Sequence, residues 1–132
     1  MGKPTIKYDQ EADVLYVTFR PGEKAMGVSL TEHILLRFHP ETQEAVGLTL
    51  MDFSVLVQPT EVGPRSFALT GLDNLPYDLR ETIIMLITTP PVNRFLKVSS
   101  FAPSPRRRFH LTYIEQPVLV PAWQGYPGSP GA

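Results

Sequence analysis

Apolar and polar residues alternate with a period of two along most of the first half of the chain, which is the mark of half-buried β-strands. Over residues 14–19, Leu15, Val17 and Phe19 alternate with Val14, Tyr16 and Thr18. Arg20-Pro21-Gly22 follows as turn chemistry, because proline fixes φ and glycine supplies a positive φ. The alternation resumes at 25–31, with Met26, Val28 and Leu30 on one face. In residues 33–39, Ile34, Leu36 and Phe38 oppose His33, Leu35, Arg37 and His39. After the turn-prone stretch 40–44, Val46, Leu48 and Leu50 again share a face. Short strands joined by short turns predict an antiparallel meander.

The pattern changes after Phe53. Residues 54–75 hold Pro59, Pro64, Gly71, Asp73 and Asn74 and read as a loop with one short strand at 66–70. Residues 76–88 read as a helix. Pro76 suits its first turn, Asp78 and Glu81 favour the positive end of its dipole, and Pro90-Pro91 stop it. Leu79, Ile83, Leu86 and Ile87 make an apolar stripe that should lie on the sheet. Two more strands are expected at 94–101 and 109–115, joined through residues 103–108. The last sixteen residues contain four prolines and three glycines, which disfavours regular structure. The expected fold class is therefore α+β: an antiparallel sheet of five or more strands with one helix packed on one face. Residues 1–116 form one domain, divided into a β-meander (1–54) and a helix with two strands (55–116), and residues 117–132 form an extended tail.

Size and composition narrow the functions. A chain of 132 residues buries enough surface to fold without a metal or a disulfide. Having no cysteine, it has no disulfide, no thiol catalysis and no thiolate metal site. The longest purely apolar run, Ile83 to Ile87, is far short of the roughly 20 residues of a membrane span, and residues 1–20 have no apolar core of a secretion signal. A cytoplasmic location is the expectation, with no membrane partner. A net charge of −1 speaks against a dedicated nucleic-acid binder.

Three sets of residues invite a chemical reading. Asp9, Glu11 and Asp13 alternate just before a strand, but a calcium loop starting at Asp9 needs glycine and glutamate where Val14 and Arg20 stand. Asp9 and Asp13 are instead expected to accept backbone N–H bonds in the turn between strands at 5–8 and 14–19. His33 and His39 stand about 20 Å apart along one strand, too far for one metal, and His110 belongs to another strand. Arg106, Arg107 and Arg108 make the one basic run, a candidate phosphate or nucleic-acid contact that reads more simply as a solvated loop. No catalytic, cofactor-binding or metal-binding residue and no cofactor is assigned. The apolar tail residues Val118, Val120, Trp123 and Tyr126 read as an interface.

Ile6, Tyr8, Asp9, Glu11, Ala12, Asp13, Leu15 and Tyr16, followed by Val46 and Gly47, resemble the motif of a small bacterial and archaeal family, the domain-of-unknown-function family 2283. The resemblance covers residues 6–54. It implies a small β-rich domain and carries no established activity. Residues 55–132 lie outside it.

On these grounds the chain is expected to be a non-catalytic interaction or structural module that self-associates as a dimer or binds a protein partner. Open sheets leave edges that attract a second chain, and two-fold pairing is the commonest closed solution. The alternatives are a nucleic-acid-associated or regulatory protein using Arg106–Arg108, and a hydrolase centred on Asp9, Glu11 and Asp13.

Overall fold

Two antiparallel sheets and two helices, the four-residue α1 (Phe53–Leu56) and α2 (Tyr77–Ile87), enclose a shared core in the computed structural model, which describes residues 4–21, 24–58, 60–61, 65–105 and 107–114 and gives only the backbone for 101–104 and 107–109. The first sheet contains β1 (Thr5–Asp9), β2 (Val14–Thr18), β3 (Met26–Ser29), β4 (Ile34–His39) and β5 (Glu44–Met51). Its order is β1-β2-β5-β4-β3. Every predicted strand of residues 5–51 is present.

The order departs from a plain meander at one step, since β2 lies beside β5 rather than β3. Burial explains the choice. Ala45, Val46, Gly47 and Leu48 are buried in succession, the profile of a strand with neighbours on both sides. β3 is four residues long and exposes Met26 and Ser29, which suits an edge. So the β1–β2 hairpin closes onto the far side of β5, and Gly47 lets it approach. A Cβ at Gly47 would lie 2.7 Å from the Val17 carbonyl oxygen.

Alternation sorts the side chains of this sheet into two faces. Leu15, Val17, Val28, Ile34, Leu36, Phe38, Leu48 and Leu50 point inward and are buried. Against them packs a helix, α2 (Tyr77–Ile87), through Ile83, Leu86 and Ile87, as the apolar stripe predicts. In its last turn Thr88 Oγ1 donates to the Ile84 carbonyl (2.7 Å), which also accepts the Thr88 N–H, and Thr89 Oγ1 donates to the Met85 carbonyl (2.8 Å).

The second sheet, order β6-β8-β7, comprises β6 (Phe67–Ala68), β7 (Leu96–Ser104) and β8 (Arg107–Ile114). The three strands expected at 66–70, 94–101 and 109–115 therefore pair with one another and not with the first five. Leu69, Leu96 and Ile114 nevertheless join the same hydrophobic cluster as the first sheet. β7 and β8 also extend farther towards their connection than expected, so Arg107 and Arg108 lie in a strand rather than a loop. Between the sheets runs a 3-10 turn, Thr70–Asn74, whose Gly71 N–H donates to the Leu30 carbonyl at 3.0 Å.

Candidate functional site

The hairpin acids occupy three different environments. Asp9 Oδ1 accepts the Ala12 N–H at 3.1 Å, an Asx turn of the expected kind, and Glu11 is exposed. Asp13 does something else. It takes φ 57°, a left-handed conformation that aspartate tolerates better than most residues. Its carboxylate then reaches the start of a short helix, α1 (Phe53–Leu56). Oδ1 accepts the Tyr8 hydroxyl at 2.6 Å and the Ser54 N–H at 3.0 Å, and Oδ2 accepts the Ser54 hydroxyl at 2.6 Å. The Asp13 carbonyl accepts the Phe53 N–H at 3.0 Å. The Tyr8 ring lies 5.6 Å from that of the buried Phe53.

Burial pushes the Asp13 carboxyl up, but the hydrogen bonds from Ser54 and Tyr8 together outweigh it and hold the group below its ordinary value. An acid kept ionised and bonded through both oxygens is poorly suited to proton transfer. It is well suited to fastening the hairpin to α1. Ser54 is the residue that sequence reasoning missed in this cluster. The partners stand 41 positions apart, and no strand or helix period connects them.

Each histidine has a separate setting. His33 Nδ1 lies 2.9 Å from Asp52 Oδ2, and His39 Nδ1 accepts the Thr42 N–H at 3.4 Å. His110 lines a cleft of about 250 Å³ with Leu69, Leu72, Asp73, Tyr77 and Glu81. Arg80 also borders this cleft, but its guanidinium donates to the Leu72 and Leu75 carbonyls at 3.0 and 3.1 Å. Among the described residues no three His, Asp or Glu side chains are placed to hold a metal ion. No helix there is long and apolar enough to cross a membrane. Arg106, Val118, Val120, Trp123 and Tyr126 lie outside the described residues, as do the side chains of Arg107 and Arg108.

The outer face of the five-stranded sheet lies opposite the core. The strand register arranges it in rows. Lys7, Tyr16, Thr49, Leu35 and Ser29 form the middle row. Thr5, Thr18, Gly47, Arg37 and Gly27 form a row on one side of it, and Asp9, Val14 and Met51 a row on the other. His33 closes the last row, its carbonyl accepting the Met51 N–H at 2.8 Å. Tyr16 is 41% exposed, while Val14, Leu35, Thr49 and Met51 are half-buried.

The distribution of charge on this face is informative. The adjacent strands β2 and β5 present Val14, Tyr16, Thr18, Gly47, Thr49 and Met51, none of them charged. Lys7, Asp9, Arg37 and the His33–Asp52 pair surround them on the flanking strands and at one end. The charges thus lie on β1, on β4 and beside the end of β5, and the β3 edge adds only Gly27 and Ser29.

Neither a curated protein nor a solved structure matches the chain. Residues 5–54, which hold the whole five-stranded sheet and end on the serine that Asp13 binds, match the family described as "Protein of unknown function (DUF2283)".

Proposed function

We propose that the chain is a non-catalytic interaction module that self-associates, and that the outer face of its five-stranded sheet is the surface it uses. The observation that carries this reading is the uncharged strip Val14, Tyr16, Thr18, Gly47, Thr49 and Met51 with charges only around it. One face of the sheet is spent on the core, and the other keeps an aromatic ring and aliphatic side chains in partial contact with water. Covering them removes apolar surface at about 25 cal/mol per Å². The hydrolase alternative is disfavoured by the carboxylates themselves, because Asp9 and Asp13 are engaged in holding backbone and hydroxyl donors.

A charge placed inside the strip tests the proposal. Thr49→Lys and Tyr16→Lys are surface substitutions on β-strands, each expected to alter stability by no more than about 1 kcal/mol. Either one should convert a dimer into a species of the 14.8 kDa chain mass, with an unchanged far-ultraviolet circular dichroism spectrum. Dimers that persist in both variants would contradict the proposed surface. The tail residues Val118, Val120, Trp123 and Tyr126 enter the proposal on composition alone. Removal of residues 117–132 is expected to weaken the dimer without unfolding the domain.

A further inference from the structure

Resting on the self-association just proposed, we infer that two copies stack outer face to outer face about a two-fold axis running across the strands, with Arg37 of each copy meeting Asp52 of the other. The inference starts from the ends of β4. Arg37 stands two residues beyond Leu35 and is exposed, and among the described residues it has no ion-pair partner. His33 stands two residues before Leu35 and holds the Asp52 carboxylate at 2.9 Å. Arg37 and His33 therefore flank the middle row on opposite sides, each about 6.6 Å from it, and His33 holds beside it the carboxylate of Asp52, the residue that follows β5.

An axis lying along the middle row between the stacked sheets superposes those two ends. It lays Leu35 on Leu35, Thr49 on Thr49 and Tyr16 on Tyr16, and it carries Arg37 over the second copy's His33–Asp52 pair. Stacked sheets stand about 10 Å apart, a gap that an arginine side chain spans. The Asp52 carboxylate is well placed to receive it. Asp52 sits at φ 54° directly after β5, and its side chain is 58% exposed. The two Lys7 side chains fall at the rim of the same row, where solvent screens them.

Size is consistent with a specific dimer of modest strength. Five strands about 4.8 Å apart and five residues deep project roughly 400 Å² per copy, so with side-chain relief a pair buries on the order of 1,000 Å². That is the lower bound for a stable interface. At such a size the charge register decides which of several stackings wins, because juxtaposed like charges oppose the wrong ones.

Charge exchange tests the register. Arg37→Glu alone and Asp52→Lys alone each bring like charges together twice per dimer, and each should weaken self-association at least about tenfold. Mixed in equal amounts, the two variants form a heterodimer in which both contacts are attractive, so the mixture should associate about as tightly as the unaltered chain. If the unaltered chain dimerises, Thr49→Lys abolishes the dimer and the mixture stays monomeric, the register is overturned while the self-association reading stands. If the unaltered chain is a monomer, both fall. Cysteine placement provides an arm that does not depend on how the charge variants fold, since the chain contains no cysteine. A short bifunctional thiol reagent should join Thr49→Cys to itself, on the axis, and leave Glu81→Cys on α2 unjoined. Joining of Glu81→Cys but not Thr49→Cys would overturn the stacking.

Discussion

Gly71→Ala should destabilise the protein by about 3–5 kcal/mol, enough to take a domain of ordinary stability close to its unfolding threshold. A Cβ at this position would lie 1.7 Å from the Ser29 carbonyl oxygen and 2.8 Å from its carbon. Both are backbone atoms, so no side-chain rotation relieves the overlap. Either the 3-10 turn Thr70–Asn74 or the end of β3 must move, which breaks the 3.0 Å bond from Gly71 N–H to Leu30. Leu69 and Leu72, buried on either side of Gly71, would be dragged from the core with the turn. Urea titration followed by circular dichroism measures the effect. A loss below about 0.5 kcal/mol would mean that the turn does not rest on β3 in solution.

The second large effect belongs to Asp13. Asp13→Ala removes the acceptor for the Tyr8 hydroxyl, the Ser54 N–H and the Ser54 hydroxyl together. Bonds to an ionised acceptor are stronger than neutral ones, but this cluster is half-exposed, so water recovers part of the loss. A net destabilisation of about 2–3 kcal/mol is expected, or a fall in Tm of roughly 6–12 °C for a domain of this size. Its pH dependence follows from the lowered pKa. The carboxylate's contribution is complete above the unfolded-state value of 3.8 and disappears as pH falls through the lower folded-state value. Asp13→Asn, measured from pH 7 down to pH 2, should therefore lose less stability in acid than the unaltered chain. Equal acid losses in the two proteins would show that Asp13 is not held in this way.

What the sequence revealed follows from the range of each interaction. Strands β1 to β5 were legible because alternation is local, and the inward set Leu15, Val17, Ile34, Leu36, Leu48 and Leu50 emerged with them. α2 was legible because Pro76 and Pro90 bracket a stripe at helical spacing. The neighbour of β2 was not, since that choice depends on which strand is buried on both sides, and the continuous burial of Ala45 to Leu48 is visible only once the sheet is assembled. The division into two sheets was hidden for the same reason, because a strand such as β8 carries no mark of its partners. Among the site residues, Asp9 was placed in its turn, whereas the donors of Asp13 come largely from Ser54, 41 positions away. The outer face was written into the alternation all along. Its reading required the register, which brings the uncharged positions of β2 and β5 side by side and puts Lys7, Asp9 and Arg37 on the adjacent strands β1 and β4.

The most direct test of the central claim is the mass in solution, by light scattering or sedimentation equilibrium at micromolar concentration, of the unaltered chain and of Thr49→Lys side by side. Self-association through the outer sheet face predicts twice the 14.8 kDa chain mass for the first and the single chain mass for the second, with identical circular dichroism. A single chain mass for both proteins up to high concentration would contradict it.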